Sequence, residues 1–154
     1  MKKAFILAAA LCSAAACSNN QAVTMNENGK EIITDGFRVV SADESFPAED
    51  LLGPLGDKKV VRGRKDPSHL AFVKNDNGHN YIIVNKILVT CPKNVNCIPA
   101  DLQAKQLSRS VYEITVGSYE KWKSVQDELN RTQGIKQIAP AFEHGIIPSL
   151  KNSR

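Results

Sequence analysis

Histidine, tryptophan and long apolar runs are all scarce in this chain. Its three histidines, His69, His79 and His144, lie far apart in unrelated local contexts, and none sits in an H-E-x-x-H pair. Neither a G-x-S-x-G elbow nor a phosphate-cradling glycine loop occurs. Carboxylate pairs such as Glu49-Asp50 and Asp127-Glu128 read as solvated charge rather than as an acid/base couple. These absences argue against an enzyme, and no cofactor or metal is expected. Past the first sixteen residues no stretch approaches eighteen apolar residues, so no membrane-spanning helix is expected in the mature chain. The charge is nearly balanced. Taking Lys2 and Lys3 from the 20 basic residues leaves 18 against 16 acidic, a net charge of about +2. That surplus is too mild to call for nucleic acid.

What is present begins with a targeting signal. Residues 1–16, MKKAFILAAALCSAAA, have a positive start, a short apolar run and a small-residue end, the pattern of a secretory signal peptide. Ala14-Ala15-Ala16-Cys17 resembles the lipobox of bacterial lipoproteins, although Ala14 stands where leucine is commonest. That resemblance implies a diacylglyceryl group on Cys17 and a lipid anchor in the membrane. Ser18 follows where an aspartate would resemble an inner-membrane retention signal, so the outer membrane is the expected location. The alternative is ordinary cleavage after Ala16, with Cys17 left as a stray thiol.

The remaining 138 residues suit one domain. Residues 17–31 are polar and without a sustained period, and read as a flexible tether. A single domain is expected over 32–140, followed by a tail over 141–154. Asp35-Gly36 suits a turn between two short strands, and SADESFPAEDLLGPLGD reads as an acidic loop with one helical turn. KKVVRGRK (Lys58 to Lys65) carries five positive charges. It is either a contact for lipid headgroups, polyanionic sugar or an acidic protein, or a solvated edge strand. Asn77-Gly78 between apolar runs predicts a tight hairpin, whose second arm, YIIVNKILVT, suits the centre of a sheet.

Cys91 and Cys97 bracket CPKNVNC. In an oxidising compartment two cysteines this close in a polar segment predict a structural disulfide. The C-x-x-C spacing of redox motifs is absent, and no histidine stands at zinc-ligand spacing. IPADLQAKQLSRS is either a short helix or a rising strand.

The clearest periodicity runs from Ser110 to Pro140. Val111 to Val116 alternates as a strand, Ser118 suits a helix cap, and Tyr119, Trp122, Val125 and Leu129 share one helical face. Gly134 ends the helix and IKQIA reads as a second strand. Trp122 is expected in the core. The fold class is α+β: a small antiparallel sheet with one main helix, Ser118–Arg131, on one face, and a ferredoxin-like βαβ unit in the C-terminal half.

Two resemblances attach to this unit. The strand Val111–Val116, the helix through Leu129, the Gly134 break, the strand Ile135–Ala139 and the tail Phe142–Leu150 resemble the C-terminal half of subtilisin propeptide-like inhibitors. That family implies a sheet packed on a serine protease and a tail in its cleft, acting as inhibitor or chaperone. It would place His144, Gly145, Ile146, Ile147 and Pro148 near the partner. Val116-Gly117-Ser118-Tyr119 is also similar to one half of the sporulation-related peptidoglycan-binding repeat, although no second copy occurs upstream. The expected function is therefore a non-enzymatic envelope lipoprotein that binds a partner protein. A peptidoglycan-binding module or a structural envelope subunit is the alternative.

Overall fold

The computed structural model describes residues 21–145. Its first hairpin lies where a flexible tether is expected. β1 (Val23–Glu27) and β2 (Lys30–Asp35) pair antiparallel around Asn28 and Gly29. Both turn residues have positive φ, 53° and 76°, the two-residue turn that matches strand twist. Met25 packs against the core, which anchors a strand whose other residues are polar apart from the exposed Val23. The ordered fold thus begins before Ile32.

β3 (Phe37–Val40), β4 (Leu51–Leu55) and β5 (Lys58–Arg62) form a separate three-stranded sheet in the order β3-β5-β4. β5 pairs on both sides, Phe37↔Arg62 with β3 and Leu55↔Lys58 with β4. The basic segment is therefore a central strand, not an edge. A single 3-10 turn, Ala48–Asp50, precedes β4 in the acidic loop.

β6 (His69–Lys74) and β7 (Tyr81–Thr90) form the expected hairpin, though with a broader connection over 75–80. Gly78 is left-handed (φ 78°), and the Asn80 side chain closes the loop by accepting the Asn75 N–H at 2.9 Å. β7 is the centre of the large sheet. β6 and then β9 (Val111–Thr115) share one of its edges, and β10 (Gln137–Glu143) runs along the other. Asn85 marks the change of partner: its N–H donates to Ser68 O at 2.8 Å, and its carbonyl accepts the Val116 N–H at 2.9 Å. β8 (Ala104–Gln106) completes the order β1-β2-β6-β7-β9-β8. The segment after the disulfide thus holds a short strand and no helix.

Ser118 caps α1 (Tyr119–Arg131) by accepting the Lys121 N–H at 3.1 Å. β9 and β10 each run antiparallel to β7, so they are parallel to one another with β7 between them. β10 continues through Pro140, which has no N–H to offer, and its register shifts between Pro140 and Phe142. The domain therefore extends to Glu143, three residues into the expected tail.

The fold is α+β, mostly antiparallel sheet with one helix. Alternation along the strands divides its core. Ile32, Val73, Ile83, Ile87, Val89, Tyr112 and Ile114 meet Tyr119, Val125 and Leu129 of α1. Ile33, Phe72 and Ile82, on the opposite face, meet Phe37, Leu55 and Val60 of the small sheet. Trp122 is only half-buried, its ring stacked on Tyr119 at 5.9 Å, which places it at the core's margin and not inside it. The Cys91–Cys97 disulfide is formed. A ring this small contributes about 2 kcal/mol by loop entropy.

Candidate functional site

The small sheet covers only part of the large sheet's face. Its partners there, Ile33, Phe72 and Ile82, all lie in β2, β6 and the first half of β7. The other half of the same face, made by β10, the second half of β7, β9 and β8, carries no second layer among the described residues. Alternation decides what it shows. Ile87, Val89, Tyr112, Ile114 and Ile138 turn toward α1, so Lys86, Leu88, Val111, Glu113, Thr115 and Ala139 turn outward.

Strand register aligns these outward residues in rows. Ala139 pairs with Leu88, Leu88 with Glu113, and Glu113 with Lys105, giving one row across four strands. Leu88 is 36% exposed, near its centre. In the next row Lys86 pairs with Thr115. Lys86 Nζ lies 3.3 Å from Glu113 Oε1, with side-chain exposures of 49% and 19%. A surface pair of this kind is worth at most about 1 kcal/mol, so a partner can rearrange it at little cost. Gln103, Ala104, Lys105, Glu113 and Thr115 border a shallow depression of about 320 Å³ at the β8 side. The face is open, mixed in charge and carries Leu88 near its centre. It offers contacts to a surface rather than enclosure to a small molecule.

The expected site residues fall elsewhere. Cys17, Ile146, Ile147 and Pro148 lie outside the described residues. His144 is exposed beside Tyr81 and Phe142, at ring separations of 5.9 and 6.4 Å. Gly145 is buried against the backbone of Leu55 and Gly56 and borders a cleft there. His79 and His144, remote in sequence, border one cleft of about 440 Å³ together with Asn77 and Asn80. Among the described residues no group of three or more potential metal ligands comes together. No helix among them is long and apolar enough to cross a membrane.

His69 is the buried histidine. Its ring lies parallel to Phe37 at 6.5 Å, and its Nε2 is 2.8 Å from Glu143 Oε2. The carboxylate only accepts, so Nε2 carries the proton. Nδ1 is buried without a partner among the described residues. Lys58 reaches the other Glu143 oxygen at 3.9 Å. Asp66 stands nearby, its carboxyl held below the usual range by the Ser68 backbone N–H and then by the Ser68 hydroxyl. This cluster joins β5, β6 and β10 and works as a fastening.

On the opposite side of the molecule, Tyr119 Oη donates to Glu27 Oε2 at 3.1 Å, and Lys123 reaches the same oxygen at 3.3 Å. Burial, and then the bond to Glu27, push the Tyr119 phenol well above its ordinary value. The contact docks the first hairpin on the helix.

No family model, curated protein or solved structure matches the chain.

Proposed function

We propose that this chain is a non-enzymatic, lipid-anchored protein of the bacterial envelope that binds a partner protein through the open sheet face. The lipobox-like Ala14-Ala15-Ala16-Cys17 supports the anchor and the outer-membrane location. The observation that carries the binding reading is the incomplete second layer. The small sheet buries one half of a sheet face, and among the described residues nothing covers the half centred on Leu88. Interfaces of moderate size need such a patch, with an apolar centre and a polar rim.

A secreted subtilisin-like protease is the partner class that fits best. In propeptide-like inhibitors a sheet of this kind packs on the enzyme, and the strand–helix–strand unit β9-α1-β10 with β7 between its strands supports that likeness.

Affinity capture tests this reading, using residues 18–154 as bait against the organism's envelope and secreted fractions. A parallel bait carries Leu88→Glu, an exposed change that leaves the core intact. The expected result is a serine protease retained by the first bait and lost with the second. A protease held equally by both would contradict the assigned face. Retention on purified cell wall with no protein partner would favour the peptidoglycan alternative.

A further inference from the structure

The chain enters the fold beside its most basic segment. Gln21 and Ala22 run so close to Gly36 that a Cβ there would collide with their backbone, and Gly36 is left-handed (φ 70°). The Gly36 carbonyl accepts the Gly63 N–H at 3.0 Å, and Phe37 pairs with Arg62. Lys65 Nζ reaches the Thr34 carbonyl at 3.0 Å, and Thr34 in turn contacts the Val23 carbonyl at 3.5 Å. Arg62, Gly63, Arg64 and Lys65 therefore flank the first described residues.

The charges there are not equally free. Arg38 is paired with Glu44 at 2.9 Å, and Asp35 accepts the Gly36 N–H at 2.8 Å. Arg62 and Arg64 are exposed, and among the described residues neither meets a carboxylate. Only Ser18, Asn19 and Asn20 separate Cys17 from Gln21. Four Cα–Cα steps span at most about 15 Å. A lipid on Cys17 would hold this end of the domain at the bilayer, within about two screening lengths of about 8 Å at physiological salt.

We propose that Arg62 and Arg64 form a membrane-facing site for the anionic phosphate headgroups around the anchor. This rests on the reading of Cys17 as the lipidated residue. The site sets orientation: with Arg62 and Arg64 toward the bilayer, the anchor becomes one point of a two-point attachment. Each arginine near an anionic surface strengthens binding about fivefold.

The test has two independent arms. Expression of the full chain in a Gram-negative host, with mass spectrometry of the Cys17 peptide, tests the anchor. An unmodified Cys17 would overturn the anchor reading alone. In the second arm, residues 17–154 with the disulfide intact are coupled through the Cys17 thiol to maleimide-bearing vesicles. The vesicles are of phosphatidylcholine, with or without phosphatidylglycerol. Arginine modification by phenylglyoxal is then read residue by residue. Arg62 and Arg64 should react at least about fivefold more slowly on the anionic vesicles. Arg109, whose carbonyl accepts the Asn94 N–H by the disulfide ring, should be unchanged. Equal rates on both vesicles would overturn the site. Equal protection of the uncoupled chain by dissolved inorganic phosphate would overturn the membrane assignment.

Discussion

His69 Nε2 donates to Glu143 Oε2 at 2.8 Å and so ties β6 to the end of β10, with β7 lying between them. Glu143→Ala leaves both ring nitrogens of a buried imidazole unsatisfied and should cost about 1–3 kcal/mol. Glu143→Gln keeps an acceptor and should cost less. A double-mutant cycle with His69→Phe, measured by urea unfolding, should give a coupling of about 1–2 kcal/mol. A coupling near zero would mean that the two side chains do not hold the strands together.

Gly145 and Gly56 meet backbone to backbone, with no room for a methyl group on either. Gly145→Ala should cost about 1–3 kcal/mol through overpacking. Gly78→Ala meets open space and carries only the strain of its positive φ, about 1 kcal/mol. Thermal unfolding of the two variants distinguishes packing from backbone strain. Equal losses would show that the close approach at Gly145 relaxes freely.

Leu129 and Trp122 share the expected helical face but not the same burial. Leu129 is 1% exposed, while Trp122 is half-buried. Leu129→Ala should cost about 2–5 kcal/mol. Trp122→Ala should cost less, about 1–2 kcal/mol, because its ring packs on the margin of the core and is not enclosed by it. Denaturant unfolding in which the tryptophan change proved the more costly would relocate the core boundary.

Helix, cap and disulfide were legible because their signals are local. Ser118, the spacing of Val125 and Leu129, and the six-residue separation of Cys91 from Cys97 need no knowledge of the rest of the chain. β1 was missed although Asn28-Gly29 is a turn signal, because the strand buries only Met25 among its apolar residues against the core. β4 was hidden by Gly53 and Pro54, which disfavour strands on propensity. The open face was beyond reach of periodicity. Ala139, Leu88, Glu113 and Lys105 come from four strands and meet only through long-range register.

Tyr119 should shape the alkaline limb of stability. Its folded-state pKa is raised above the ordinary value of 10.0 by burial and by the Glu27 carboxylate. The native state therefore holds its proton longer than the unfolded chain does. The stability that this confers is complete below about pH 10 and declines as pH rises above it. Tyr119→Phe cannot ionise, so its stability should fall less steeply over that range in pH-dependent urea unfolding. Parallel curves for the two proteins would show that Tyr119 does not govern the alkaline loss.

The half of the large sheet around Leu88, uncovered among the described residues, is the proposed binding surface. Amide hydrogen exchange of the chain, free and with its captured partner, reads this surface directly. New protection is expected over 86–90, 104–106 and 111–115, with β5 and the outward side of α1 unchanged. Protection confined to α1 or to the small sheet, with β7 and β9 exchanging as in the free chain, would contradict it.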